Sequence, residues 1–163
     1  MKIRKYKEYD WNRIWPIIRR VFRDGETYAY SPGITEQEAY HVWIEVPLET
    51  WVILDLNQEI IGTYYIKANQ PGLGSHVCNC GYIVSEEARG QGAATIMCEH
   101  SQRVAIESGF RAMQFNLVVS TNLGAIRLWK KLRFQEIGVL PKAFNSKSAG
   151  YVDALVMFKE LVK

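Results

Sequence analysis

The sequence is short of cysteine and proline, with three and five of its 163 residues. Cys78, Cys80 and Cys98 are an odd number of thiols in a mid-sized chain. A disulfide framework is therefore not expected, and a reducing cytoplasm fits better. Long apolar runs are missing too. None approaches the about 18 residues that a membrane span needs. The opening Met1-Lys2-Ile3-Arg4-Lys5-Tyr6-Lys7 has no apolar h-region, so neither a secretory signal nor a membrane partner is expected. Charge of one sign is also scarce. Twenty basic and 17 acidic residues give a net +3, spread evenly, which is too mild to argue for nucleic acid. No metal site is expected. His76, Cys78 and Cys80 alternate along one strand face but lack a fourth ligand. What remains is a globular composition, 48% hydrophobic and 23% charged, read as one domain over residues 1–163.

Period and punctuation give the elements. Residues 1–6 read as a short edge strand. Trp11, Ile14, Trp15, Ile18, Val21 and Phe22 then recur every three or four residues, one apolar stripe of a helix that ends near Asp24-Gly25. Pro16 inside this stripe predicts a kink or a late start. Glu26 to Gly33 is a polar, aromatic loop. Thr35 and Glu38 have the spacing of a capping box for a second helix, with Ala39, Val42, Trp43 and Val46 on its apolar face and Pro47 ending it. Trp51–Leu56 and Ile60–Ala68 read as an antiparallel hairpin. A strand from His76 to Val84 follows, then a helix to about Ser108 carrying Ile96, Met97, His100 and Val104 on one face. Met113–Val119 is a strand, Asn122 opens a helix, and Phe134–Leu140 and Tyr151–Lys159 are final strands joined by a long loop with Pro141 and Gly150. The order β-α-α-β-β-β-α-β-α-β-β predicts a mixed-sheet α/β (α+β) fold with about four helices.

The stretch from Asn79 to Ala94 carries the most chemistry. An apolar strand delivers Arg89-Gly90-Gln91-Gly92-Ala93-Ala94 to a helix N-terminus. Backbone N–H groups point outward there and the helix dipole favours negative charge, so the segment is suited to an anion. Gly90 and Gly92 permit close approach of a ligand, and Arg89 supplies a fixed cation. An ordinary strand-to-helix connection is the competing reading of the glycines alone.

Arg89-Gly90-Gln91-Gly92-Ala93-Ala94 resembles the acetyl-CoA signature of the GCN5-related N-acetyltransferases. Downstream, Asn122, Ala125, Leu128, Trp129, Lys131 and Phe134 resemble that family's Asn-x-x-Ala-x-x-Leu-Tyr-x-Lys-x-Gly-Phe pattern. The resemblance implies a GNAT-like fold, its central sheet splayed between the fourth and fifth strands. It also implies acetyl-CoA as co-substrate, direct attack by an amine and a tetrahedral intermediate. The residues it assigns to the cofactor are Ile83, Val84, Arg89, Gly90, Gln91, Gly92, Ala93, Ala94, Asn122, Ala125, Leu128, Trp129 and Lys131. A backbone N–H within Tyr82–Val84 would polarise the thioester carbonyl. Trp129 departs from the pattern, which has Tyr as general acid. An indole N–H donates a hydrogen bond but gives up no proton at useful pH. As general base, Glu26, His76 and Asp153 are candidates. A non-catalytic acyl-CoA-binding regulatory module and a protein or peptide N-acetyltransferase are the alternatives.

Asn79, Asn116 and Asn122 add a narrower likeness. With Gly81 and Tyr82 they are similar to positions of the fungal N-acetyltransferases of proline analogues such as azetidine-2-carboxylate. That likeness implies a small-molecule amine acceptor, an amino or imino acid. Asn79 and Tyr82 would hold its carboxylate, Asn116 and Asn122 would flank the amine and thioester, and Tyr28 and Tyr30 would line the site. Asn79 and Tyr82 fall on opposite faces of a regular strand, so a bulge is expected between them, with Gly81 permitting it. The last strand, apolar on both faces, suggests a sheet interior or the edge of a homodimer.

Overall fold

A computed structural model describes residues 1–162. Seven strands form one sheet in the order β1-β2-β3-β4-β5-β7-β6. β1 (Lys2–Lys5), β2 (Glu49–Leu54), β3 (Ile60–Ala68) and β4 (Val77–Val84) are antiparallel neighbours. β5 (Ala112–Val119) is parallel to β4 and antiparallel to β7 (Gly150–Glu160), which pairs with β6 (Gln135–Ser146). The helices are α1 (Trp11–Asp24), α2 (Glu36–Tyr40), α3 (Ala93–Glu107) and α4 (Leu123–Lys131). The mixed α/β sheet with four helices is the fold expected from the pattern.

Strand alternation sends side chains to two cores. On one face Ile14, Ile18 and Phe22 of α1 and Trp43 pack on Val52, Leu54, Tyr65 and Ile83. On the other, Cys98, Val104 and Ala105 of α3 and Trp129 of α4 pack on Ile66, Cys78, Cys80, Met113, Phe115, Leu155 and Met157. The three cysteines are free and buried. His100 sits at the edge of that face, its Nδ1 2.6 Å from the Tyr64 hydroxyl.

Local signals explain most boundaries. Glu38 N–H meets Thr35 Oγ1 at 3.3 Å and Thr35 N–H meets Glu38 Oε2 at 2.8 Å, the reciprocal box expected. Gly25, with φ of 67°, ends α1. Three expectations change. α1 starts at Trp11 and runs through Pro16, which removes only the hydrogen bond to the Asn12 carbonyl. After α2 the chain widens into a π-turn over His41–Glu45. The wider turn rotates the stripe, so Val46 is exposed while Ala39 and Trp43 stay buried. The long loop around Pro141 is strand. β6 continues past it to Ser146, with a register shift between Leu140 and Phe144 and Lys142 at φ of 52°. A bulge at an edge strand tolerates a residue that cannot donate a ladder bond.

Candidate active site

β4 and β5 pair only at Val77↔Ala112 and Cys78↔Met113, then separate. Asn79 closes the vertex. Its Nδ2 donates to the Gln114 carbonyl at 2.9 Å, and its Oδ1 accepts from the Tyr65 hydroxyl at 3.3 Å. Both halves of this buried amide are thereby satisfied, as burial requires. Beyond it lies a gap of about 930 Å³.

The backbone of β4 faces this gap with alternate residues. Ser85 N–H bonds the Ile61 carbonyl, and Asn69 N–H bonds the Val77 carbonyl. With Thr63 opposite Ile83 and Tyr65 opposite Gly81, odd-numbered residues of β4 turn their N–H and C=O groups to β3. Cys80, Tyr82 and Val84 turn theirs to the gap, where no strand meets them. Val84 thus presents a free strand edge to the gap. Ile83 does not: its backbone is committed to Thr63, and only its side chain reaches the cavity.

The β4–β3 register is unbroken from Cys78 to Val84, so the bulge expected in β4 is absent. Asn79 faces the α1 side with Tyr65. The Tyr82 hydroxyl lies 2.7 Å from Ser101 Oγ of α3 on the other side. Gly81 has a different task. A Cβ there would stand 2.5 Å from Tyr65 Cε1 and 3.1 Å from the Tyr28 oxygen, so glycine lets both rings cross the strand. The extra residue lies across the gap. β5 carries one more residue than β7 between Phe115 and Val118, placing a bulge at Asn116-Leu117.

Polar groups line the α1 side. Tyr28 donates to the Tyr82 carbonyl at 2.9 Å. Burial and then the neighbouring Tyr65 push its pKa well above the usual tyrosine range, so it stays a neutral donor. Asn116 Oδ1 accepts from Gln114 Nε2 at 2.9 Å, and its Nδ2 donates to Asn69 Oδ1 at 2.7 Å. Asn122 caps α4, accepting from Ala125 N–H at 3.2 Å, and also lines the gap. Trp129 packs against Phe115 and Tyr82 with ring centroids 4.8 and 5.3 Å apart. Its indole N–H bonds none of the described residues yet is no buried orphan, so it is accessible from the gap. The Cys80 thiol is held neutral, burial pushing its pKa well up.

At the other end, Gly90 and Gly92 have φ of 77° and 86°, and a Cβ on either would meet nothing within 4 Å. The first bond of α3 runs from Ile96 N–H to the Gly92 carbonyl. The N–H groups of Gly92, Ala93, Ala94 and Thr95 have no described partner, and α3 has no side-chain cap and no acid in its first turn. Open space, four free donors and a helix dipole fit a pyrophosphate. Arg89 lines the gap beside them.

Of the remaining expected residues, Ala125 lines the gap, Leu128 turns toward the core and Lys131 is exposed outside the cavity. None of the three candidate bases stands free in the gap. Glu26 accepts from Ser146 Oγ at 2.7 Å, Ser148 N–H at 2.9 Å and Ser148 Oγ at 3.0 Å. Asp153 accepts from Lys142 N–H at 2.9 Å, and His76 is exposed beside the Leu73 carbonyl. Two features went unread in the sequence. One is the Glu26 latch to the β6–β7 turn. The other is Lys67, a lone charge on the apolar β3 and part of the cavity wall. That lone charge was its only sequence signal.

A parallel strand pair that parts beside an uncapped helix N-terminus leaves a cleft with a free strand edge on one wall and free backbone donors at one end. The pattern described as "Acetyltransferase (GNAT) family" matches residues 11–134, and the chain belongs to that family. It is an acyl-CoA-dependent N-acetyltransferase. It is similar to N-acetyltransferase aca1 of Schizosaccharomyces pombe, 33% identical over 148 residues, 81% of this chain and 71% of that one. The structure of a GCN5-related N-acetyltransferase from Kribbella flavida superposes with a TM-score of 0.92 at 37% identity, covering 98% of this chain and 96% of that one. A phosphinothricin acetyltransferase from Sinorhizobium meliloti, solved in complex with AcCoA, shares the fold with a TM-score of 0.87 at 21% identity over 99% and 88% of the chains.

Proposed function

We propose that the enzyme moves an acetyl group from acetyl-CoA to the amine of a small molecule, an amino or imino acid. The observation that carries this reading is the gap itself. Its volume of about 930 Å³ suits a pantetheine arm plus a small acceptor, at the upper end of the roughly 300–1,000 Å³ of ordinary ligand sites. Its α1 side is walled by Tyr28, Tyr30 and Tyr65.

In this reading the free N–H groups of Gly92–Thr95 and the Arg89 guanidinium hold the pyrophosphate, and the edge of β4 at Val84 pairs with the amide-rich arm. The Tyr82 N–H, turned to the gap, donates to the carbonyl oxygen as negative charge develops there. The amine attacks the thioester carbon directly and the C–S bond breaks, releasing the thiolate. Trp129 packs against the arm and offers a hydrogen bond rather than a proton. Water delivers the proton to the thiolate and removes the one from the amine: of the carboxylates lining the gap, Glu26 is held by Ser146 and Ser148 and Asp24 stands exposed at the end of α1. Catalysis then rests on positioning.

Thiol release measured with a panel of small amines and of peptides tests the reading. Saturable turnover of a small amine is expected. Tight acetyl-CoA binding without turnover of any amine would instead favour a regulatory module, and turnover of peptides alone would favour a protein acetyltransferase.

A further inference from the structure

Lys67 faces the acceptor side of the gap without a counter-ion. It lies opposite Asn79 in the β3–β4 ladder and shares the face of Tyr65, over whose ring its Nζ stands 5.4 Å from the centroid. None of the described ion pairs or side-chain hydrogen bonds includes it. The polar groups nearest in the fold are neutral. Asn79 is committed to Gln114 and Tyr65, and Asn116 is bound between Asn69 and Gln114. The carboxylates lining the cavity belong to the α1 end: Asp24, and Glu26, whose oxygens are held by Ser146 and Ser148.

An amine acceptor reaches neutral water mainly as an ammonium ion. An unpaired lysine in the same cavity repels it, unless the acceptor carries its own negative group. A zwitterion converts that repulsion into an ion pair and turns the amine away from the lysine, toward the thioester. Lysine is suited to the task as a compact charge on a flexible stem. We infer that Lys67 is the specificity residue of this enzyme, binding the carboxylate of an amino- or imino-acid acceptor at the vertex of the β4–β5 gap. The inference rests on the small-amine reading above and adds the residue that selects the acid.

Paired acceptors test it: proline against prolinamide, and an α-amino acid against its primary amide, each assayed by thiol release. The wild-type enzyme is expected to favour the acid by at least about 10-fold in kcat/KM. Lys67→Met should lower kcat/KM for the acid by about 10- to 100-fold, mainly through KM, the range of a hydrogen bond to a charged group. It should improve use of the cationic amide, from which the repulsion is removed, and leave the KM for acetyl-CoA within about 3-fold. Lys67→Arg should recover part of the loss on the acid, which a merely structural lysine would not explain. Equal use of acid and amide by the wild type, or a preference that survives in Lys67→Met, overturns this inference and leaves the small-amine reading standing. Turnover of peptides only overturns both.

Discussion

Gly81→Ala is the most exacting test of how the site is built. The new methyl group would stand 2.5 Å from Tyr65 Cε1 and 2.9 Å from Tyr65 Cζ, closer than side-chain carbons approach. The strand cannot retreat, because Gly81 is paired with Tyr65 itself in the ladder. The ring must move, and its hydroxyl holds Asn79, which holds the Gln114 carbonyl at the vertex. Overpacking of this kind costs about 1–3 kcal/mol. Alanine returns roughly 0.5–1 kcal/mol relative to glycine within a strand. The midpoints leave a net destabilisation of about 1 kcal/mol, and at 2–4 °C per kcal/mol for a chain of this size the melting temperature falls by roughly 2–5 °C. Thermal unfolding followed by circular dichroism reads the loss, and thiol release reads the accompanying rise in acceptor KM. Combining Gly81→Ala with Tyr65→Ala should recover about 1 kcal/mol of coupling, since contacting residues do not add. An unchanged or raised melting temperature, or strict additivity in the double variant, would show that Gly81 is not there to admit the Tyr65 ring.

Two further outcomes follow from ionised groups. The Glu26 carboxylate is held below its usual value of 4.5, first by the Ser146 hydroxyl and also by Ser148, against a smaller opposing effect of burial. Its stabilisation of the β6–β7 turn is therefore present above 4.5 and is lost as pH falls through the lower folded value. Amide exchange at Ser148 should show protection that collapses on acidification, and Glu26→Gln should flatten that pH dependence; an unchanged profile would refute the latch. Asp10 is fully buried at the start of α1, bonded by Arg4 at 2.6 and 2.8 Å and by Lys7 N–H at 2.8 Å. Asp10→Ala should cost about 1–3 kcal/mol by orphaning these donors. A shift in urea midpoint without a change in slope would register it.

The sequence was most legible where one short segment carries its own physical reason. The α1 stripe, the Thr35 capping box, the glycines before α3 and the parting of the fourth and fifth strands all follow from local period, from turn chemistry or from motif. Legibility failed where the reason is distant. Pro141 and Gly150 read as loop because an edge-strand bulge shows only when its partner is known. The bulge expected at Gly81 lies in β5 because the space at Gly81 is taken by a ring from β3. The Glu26 latch was not legible because Ser146 and Ser148 are 120 and 122 residues away. Lys67 went unread because the cavity that it lines is built mostly by other elements.

The two-residue contact between β4 and β5 has a consequence for assembly. A strand held to its parallel neighbour at only two positions has almost no hold on the sheet from that side. Six paired positions with β7 anchor β5 from the other. The reaction gap is thus a deliberate break in the sheet, kept open by the strand formed last in the chain. The anion cradle before α3 is complete once the first two-thirds of the polypeptide has folded. The wall on β5 waits for β7 to arrive, and a long-range pairing of this kind closes slowly. A chain folded only over its first two-thirds would therefore hold the free N–H groups before α3 but lack the second wall of the gap.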